Sequence, residues 1–158
     1  MQFDFVCIGS DHGGFDLKKI IMNYLNNNKI EFKDFGTFSQ KSVDYVDYAF
    51  LVAQEVAKNK KNCGILCCSS GIGVSIVANK VPGVRAALCV SNFHAEFARK
   101  HNNANIICFG QKVSNSEQVL DMINIFLNTG FDGGRHESRV NKILNLEKNK
   151  GECINERY

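Results

Sequence analysis

The chain has 158 residues, a net charge of +3, 44% apolar residues and 22% charged residues. These values are typical of a soluble protein with one globular domain, and they exclude collagen, low-complexity disorder and a membrane span. The 19 basic and 16 acidic side chains are too balanced and too scattered to indicate a nucleic-acid partner, although they allow a local anion site.

Short apolar stretches alternate with segments of helical periodicity along the chain. Strands are predicted at residues 3–9, 30–35, 63–68, 85–90 and 105–109. Helices are predicted at residues 15–28, 45–58, 73–80, 93–102, 116–128 and 135–148. Five βα units in series predict one α/β domain, a three-layer αβα Rossmann-like fold with a five-stranded parallel sheet. We expect this domain to cover residues 1–150, followed by a polar C-terminal tail at residues 151–158.

The cysteine pattern indicates reduced thiols. Seven cysteines spread over the whole chain are a poor disulfide framework, because the number is odd. No signal-peptide pattern precedes the first apolar stretch, so we expect a cytoplasmic protein. Cys63, Cys67 and Cys68 have no second ligand pair at zinc spacing, which argues against a metal site.

Polar and glycine-rich residues follow the predicted strands, at the sheet edge where doubly wound proteins bind ligands. The loop after the third strand reads Ser-Ser-Gly-Ile-Gly at residues 69–73. Gly71 and Gly73 allow its backbone to approach a ligand and point N–H groups at it. The loop lacks the marks of a nucleotide P-loop, a dinucleotide loop and a cysteine phosphatase loop. An anion or oxyanion cradle remains, and the alternative is a tight turn that needs glycine for packing.

Cys68 ends the third predicted strand and faces the amino end of a helix, a setting that favours the thiolate. A buried core cysteine is the alternative. That core position is what we expect for four other cysteines, namely Cys7, Cys67, Cys89 and Cys108.

Arg135 and Arg139 lie one helical turn apart, so their guanidinium groups share a helix face and suit a phosphate. A solvated basic face is the alternative. Among the histidines, His12 and His101 lie at carboxyl ends of βα units or in loops, and His136 lies beside the arginine pair.

These motifs, in this order, resemble the ribose-5-phosphate isomerase B family, whose relatives include the galactose-6-phosphate isomerase subunits. The resemblance covers nearly the whole chain and rests on residues 9–14, 44–45, 68–75, 78–80, 99–102, 109–110 and 133–139. It implies an aldose–ketose isomerase of the pentose phosphate pathway that interconverts D-ribose 5-phosphate and D-ribulose 5-phosphate through an enediolate, without metal or cofactor. It also implies a homodimer, or a dimer of dimers, with the site at the subunit interface.

The resemblance assigns roles to individual residues. Cys68 matches the base that removes the proton from carbon 2, His101 matches the residue that assists ring opening, and Ser70 lies beside the enediolate oxygens. Substrate contacts are implied for Asp11, His12, Tyr45, Ser69, Gly71, Ile72, Gly73, Asn102 and Lys112. Phosphate contacts are implied for His12, Arg135 and Arg139. One branch of the family instead has a glutamate as the base, at the position of Val74. Valine cannot act as a base, so this role is left to Cys68.

Three departures from the family pattern leave the substrate open. Ser69 replaces a common glycine and narrows the expected pocket. Val46 replaces a frequent proline and is expected to loosen its loop. Lys112 replaces a frequent arginine and loses its bidentate fork. A six-carbon substrate such as allose or galactose 6-phosphate is therefore an alternative, as is a phosphosugar-binding module without catalysis. The module is disfavoured because Cys68, His101 and both arginines are present.

Overall fold

A computed structural model describes residues 1–148 and contains a five-stranded sheet. The strands are β1 (Phe5–Ser10), β2 (Phe32–Asp34), β3 (Asn62–Cys68), β4 (Ala86–Leu88) and β5 (Ile106–Gly110). They are ordered β2-β1-β3-β5-β4, and every pair is parallel. The predicted single-domain α/β fold is confirmed, while the predicted tail at 151–158 lies outside the described residues.

Helices cover both faces of this sheet. They are α1 (Phe15–Asn27), α2 (Tyr45–Lys58), α3 (Ile72–Ala78), α4 (Asn92–Lys100), α5 (Ser116–Asn128) and α6 (Arg135–Lys148). One hydrophobic cluster joins the sheet to α1, α4 and α5, and a second joins it to α2 and α3. Within residues 1–148, no helix combines the length and apolar character needed to cross a bilayer.

The central strand β3 is buried along its whole length. Successive side chains of a strand point to opposite faces, so Cys67 faces the cluster of α1, α4 and α5, and Cys68 faces that of α2 and α3. Because β3 lies between β1 and β5, the loops after all three strands meet beside Cys68 at the carboxyl edge. The sheet order thus places the cysteine at the centre of that edge.

The four cysteines expected in the core are indeed there, each with 0% exposure: Cys7, Cys67, Cys89 and Cys108. Burial raises the pKa of the Cys7 and Cys89 thiols to about 12. Burial also raises the pKa of Cys67 and Cys108. These groups therefore remain uncharged thiols near neutral pH.

Candidate active site

The loop after β3 donates a backbone N–H to a thiol. Cys68 is 5% exposed, and its Sγ accepts a hydrogen bond from the N–H of Gly71 at 3.0 Å. The Ser70 hydroxyl oxygen accepts one from the N–H of Ile72 at 3.3 Å. Gly71 is the N-cap of α3, so the N–H groups that follow it lie in the first helical turn, where they have no intrahelical partner. This geometry is compatible with the predicted cradle beside a thiol, whose anion-binding role stays a prediction.

Close packing also requires the glycines of this loop. Gly71 has a φ of +78°, and a Cβ there would lie 2.5 Å from the Leu88 side chain and 2.8 Å from the carbonyl carbon of Phe109. A Cβ on Gly110 would lie 2.5 Å from the carbonyl carbon of Ser70. The packing explanation is therefore correct for Gly71, and it is compatible with the cradle because the same tight turn directs the N–H groups.

The segment after β5 lies directly against the cradle. Gln111 donates its N–H to the carbonyl oxygen of Cys68 at 2.9 Å, and Lys112 donates its N–H to that of Ser69 at 3.0 Å. The Gln111 side chain also accepts the N–H of Leu17 at 3.0 Å, which ties the segment to α1. The exposed Lys112 side chain thus begins at the carboxyl edge, next to the loop that follows β3.

The loop after β1 packs on the other side of the cradle. Asp11 is 8% exposed, and its Oδ1 accepts the N–H of Gly14 at 3.0 Å. A Cβ on Gly13 would overlap the Ser69 Oγ. The Ser69 hydroxyl therefore lies against Gly13, and the added side chain contacts the first loop.

Two further residues for which substrate contacts are predicted lie at the carboxyl edge, namely His12 and Tyr45. The His12 side chain is exposed, and its Nδ1 lies 3.2 Å from both the carbonyl oxygen and the amide nitrogen of Val43. Tyr45 begins α2, and a Cβ on Gly73 would lie 2.7 Å from its ring. The tyrosine ring therefore covers the glycine of the cradle.

Val46, which was expected to loosen the chain at this point, makes a specific contact at the start of α2, next to Tyr45. Its N–H donates to the Asp44 carboxylate at 2.9 Å, which caps the start of α2. Proline has no N–H and could not make this bond. Capping of this kind typically contributes about 1 kcal/mol, so valine at this position holds the helix start in place.

His101 and Asn102 lie at the opposite edge of the sheet. Helix α4 begins after β4 at the carboxyl edge and runs back, so its end reaches the amino edge. The carbonyl oxygen of Asn102 accepts from Nε of Arg85, which immediately precedes β4, at 3.1 Å. The His101 ring stacks on the His136 ring, with 4.0 Å between centroids and 9° between planes. The His101 ring also makes an edge-on contact with the Phe97 ring, with 4.6 Å between centroids.

The arginine pair belongs to this second group. Asp132 donates its N–H to the carbonyl oxygen of Lys100 at 3.0 Å, which brings the start of α6 to the end of α4. Arg135 and Arg139 are exposed there, and Nε of Arg135 donates to Nε2 of His136 at 3.3 Å. Burial, then the neighbouring His101 and both arginines, lower the pKa of His136.

One chain therefore holds two separate groups of candidate residues. The carboxyl-edge group contains Asp11, His12, Tyr45, Cys68, Ser69, Ser70, Gly71, Ile72, Gly73 and Lys112. The amino-edge group contains His101, Asn102, Arg135, Arg139 and His136, the last of which sequence reasoning did not assign a role. Strand β3 has seven residues, so the two edges are roughly 20 Å apart.

Within residues 1–148, no group of three His, Cys, Asp or Glu side chains is arranged to hold a metal ion.

The fold is that of a doubly wound α/β protein, a class that binds ligands at the carboxyl edge of its sheet, where this chain places a glycine-rich loop and a thiol. The model of the family described as Ribose/Galactose Isomerase matches residues 6–143. The chain belongs to this family, and the prediction that it is an isomerase is confirmed.

Individual relatives are similar in sequence to this chain over nearly their full length. A probable ribose-5-phosphate isomerase B of Mycoplasma genitalium is 43% identical over 150 residues, covering 94% of this chain and 98% of the relative. Ribose-5-phosphate isomerase B of Escherichia coli is 38% identical over 145 residues, covering 92% and 97%.

Solved structures show the same fold. Ribose-5-phosphate isomerase B of Clostridium thermocellum has a TM-score of 0.91 at 44% identity, covering 93% of this chain and 99% of that one. The Mycoplasma genitalium enzyme with bound ribulose-5-phosphate has a TM-score of 0.89 at 43% identity, with the same two coverages.

Proposed function

We propose that this chain interconverts D-ribose 5-phosphate and D-ribulose 5-phosphate through an enediolate. The observation that carries the proposal is the hydrogen bond from the Gly71 N–H to the Cys68 thiol at the centre of the carboxyl edge. Relatives named ribose-5-phosphate isomerase B support the pentose substrate, as does a similar structure that holds ribulose-5-phosphate. The two isomers differ in the place of one hydrogen on carbons 1 and 2 and of one hydrogen on the oxygens of those carbons, so a single base that reaches both carbons can move the carbon-bound hydrogen.

Cys68 is the base in this mechanism. The N–H of Gly71 donates to its sulfur at 3.0 Å, which holds the sulfur in one position at the centre of the carboxyl edge. The thiolate takes the proton from carbon 2 of the open-chain aldose, and the electron pair of that C–H bond forms the enediolate. A proton then passes from the oxygen on carbon 2 to the oxygen on carbon 1, and the thiol returns its proton to carbon 1, which gives the ketose and restores the thiolate.

The cradle stabilises the negative charge that develops on the sugar oxygens. Gly73 lies in the first turn of α3, where backbone N–H groups lack intrahelical partners, and the Ser70 hydroxyl oxygen accepts the N–H of Ile72 in the same turn. A donor aimed at a developing oxyanion typically contributes about 3 kcal/mol to transition-state stability. Asp11 and Tyr45 border the same space and are assigned to the sugar hydroxyls.

A second copy of the chain completes the site in this account. His101 and Asn102 lie at the edge opposite Cys68, so ring opening by the histidine of the same chain would have to act across the sheet. We therefore assign His101, Asn102, Arg135 and Arg139 to the site of the neighbouring copy in a homodimer. Exposed apolar side chains near the edge strand β4 support such an interface, namely Ile72, Ile76, Val90 and Phe93.

We assign the binding of the substrate phosphate to cationic side chains. Arg135 and Arg139 project from one face of α6, and like charges at this spacing become favourable once an anion bridges them. His12 and Lys112 contribute from the carboxyl edge. Lysine supplies a point charge without the fork of arginine, which suits the exposed position of Lys112.

A substrate panel tests the proposal. Wild-type protein with a chelator present is given ribose 5-phosphate, ribulose 5-phosphate, allose 6-phosphate and galactose 6-phosphate, and the ketose is followed in each case. We expect turnover of the five-carbon pair, and loss of it in Cys68→Ala. Turnover confined to a six-carbon sugar would contradict the pentose assignment, and absence of any turnover would favour a binding module.

A further inference from the structure

A fully buried lysine lies beneath the loop that joins β2 to α2, which is residues 35–44 and is called the β2–α2 loop below. Lys18 of α1 has 1% exposure. Its ammonium donates to the Asp34 carboxylate at 2.6 Å and to the carbonyl oxygen of Thr37 at 2.6 Å. Lysine is almost never buried to this extent without a partner. The mechanism above makes no use of this group.

Two aromatic rings, one on α1 and one in the β2–α2 loop, lie near the ammonium. It lies 5.7 Å from the centre of the Phe15 ring on α1 and 5.4 Å from that of the Phe38 ring in the β2–α2 loop. Both distances fall within the range of cation–π attraction. Phe38 is itself 74% exposed, so the lysine holds an aromatic residue of the loop that otherwise lies in solvent.

The start of the β2–α2 loop is fastened to the residue before Asp11. Asp34 also accepts the N–H of Gly36 at 2.9 Å. Ser10 donates its N–H to the carbonyl oxygen of Gly36, and Thr37 donates its N–H to that of Ser10, both at 2.7 Å. Lys18 therefore fixes a backbone junction between the β2–α2 loop and the loop that carries Asp11.

The far end of the β2–α2 loop carries groups of the candidate site. Val43 lies against the His12 ring at 3.2 Å, and Tyr45 follows directly in α2 with its ring on Gly73. A displacement of the loop would move both the histidine contact and the tyrosine. The lysine is thus linked to the site through the backbone of the β2–α2 loop.

Stability alone does not account for this ion pair. A buried pair is often no more stabilising than apolar residues of similar volume, because both charges lose their hydration. The contact with the Thr37 carbonyl oxygen is directional and specifies the backbone path. We propose that Lys18 is a positioning residue that holds the β2–α2 loop, and with it His12 and Tyr45, in place for the substrate. This proposal rests on the proposed function.

Three variants separate positioning from folding. Lys18→Met removes the ammonium but leaves Asp34 as an uncompensated charge, so a lower melting temperature is expected. Lys18→Met with Asp34→Asn removes both charges and is expected to recover most of that loss. Lys19→Met is the matched control, because Lys19 is an exposed lysine on the same helix.

The kinetic readout is the division of the effect between KM and kcat. Both Lys18 variants are expected to raise KM for ribose 5-phosphate about tenfold, with kcat changed by less than about threefold. Lys19→Met should match the wild type in both. A double variant that recovers KM together with its melting temperature would overturn the proposal, because the pair would then act only on folding.

A second readout does not depend on activity. Lys41 is exposed in the β2–α2 loop, and Lys61 is exposed just before β3 and serves as an internal reference for trypsin. Cleavage after Lys41, relative to Lys61, should be faster in both Lys18 variants than in wild type. Unchanged relative cleavage would overturn the proposal, even if the wild type turned over no ribose 5-phosphate. Absence of wild-type turnover alone would instead contradict the proposed function.

Discussion

Replacing Gly71 with alanine tests the link between the backbone of the cradle and the Cys68 thiol. A Cβ at this position meets two penalties. A left-handed conformation such as the φ of +78° costs a non-glycine residue about 1–2 kcal/mol. The overlap with Leu88 at 2.5 Å and with the main chain of Phe109 at 2.8 Å adds about 1–3 kcal/mol, as overpacking typically does. The sum predicts a loss of about 2–5 kcal/mol in the free energy of unfolding.

Gly83 offers a matched control for this substitution. It has a φ of +83°, but a Cβ there meets nothing within 4 Å. Gly83→Ala should therefore lose only the conformational part, about 1–2 kcal/mol, and keep its activity. Urea unfolding at a fixed protomer concentration measures both variants, and the isomerase assay follows kcat in conditions where each is folded. The atom of Phe109 that the new Cβ would meet is a main-chain carbonyl carbon in strand β5, which cannot move aside easily. Gly71→Ala should therefore also displace the N–H that donates to Cys68, and so lower kcat. If Gly71→Ala were no less stable than Gly83→Ala and fully active, the geometry assigned to the cradle would be wrong.

Three further predictions concern titration, phosphate binding and ring opening. The raised pKa of Cys7, from 9.0 to about 12, stabilises the fold below pH 9, and this contribution is lost as pH rises toward 12. Between pH 9 and 12, the free energy of unfolding should thus fall more steeply with pH in the wild type than in Cys7→Ala. The two slopes should differ by up to about 1.4 kcal/mol per pH unit. Equal slopes would refute the statement that burial raises the pKa of Cys7. Arg139→Ala should raise KM for ribose 5-phosphate at least about tenfold. Lys142 is an exposed cation on the same helix, and Lys142→Ala should leave KM unchanged. Equal effects of the two substitutions would indicate a solvated basic face. His101→Ala should abolish turnover of ribose 5-phosphate. The same variant should still exchange the carbon 1 proton of ribulose 5-phosphate with deuterated water, because that ketose has no furanose ring to open. Loss of both activities would contradict the role assigned to His101.

The sequence predicts the carboxyl-edge half of the site because parallel βα units place every strand's following loop on one side. The loops that carry Asp11, Cys68 and Lys112 meet for this reason. The position of β5 between β3 and β4 is a matter of long-range packing, and local periodicity contains no information about it. The contacts that result, such as Gly110 against Ser70, are consequently visible only in the structure.

The amino-edge group could have been separated from sequence alone. A helix that follows a strand must run back, so residues at its end, including His101, belong to the opposite edge. The stacking of His136 on His101 is different, because it depends on where α6 packs after two residues with positive φ, Gly133 and Gly134. Lys18 is likewise invisible to periodicity, since its burial is set by Asp34 on a distant strand.

Complementation between two inactive variants tests the central claim, that a thiol of one chain and a histidine of another form one isomerase site. Cys68→Ala and His101→Ala are each purified, shown to be inactive with ribose 5-phosphate, then mixed and allowed to exchange subunits. If the site is shared, mixed dimers contain one intact site of two, and random exchange restores about a quarter of wild-type activity. No recovery in a mixture in which mixed dimers have been demonstrated by mass spectrometry would contradict the account.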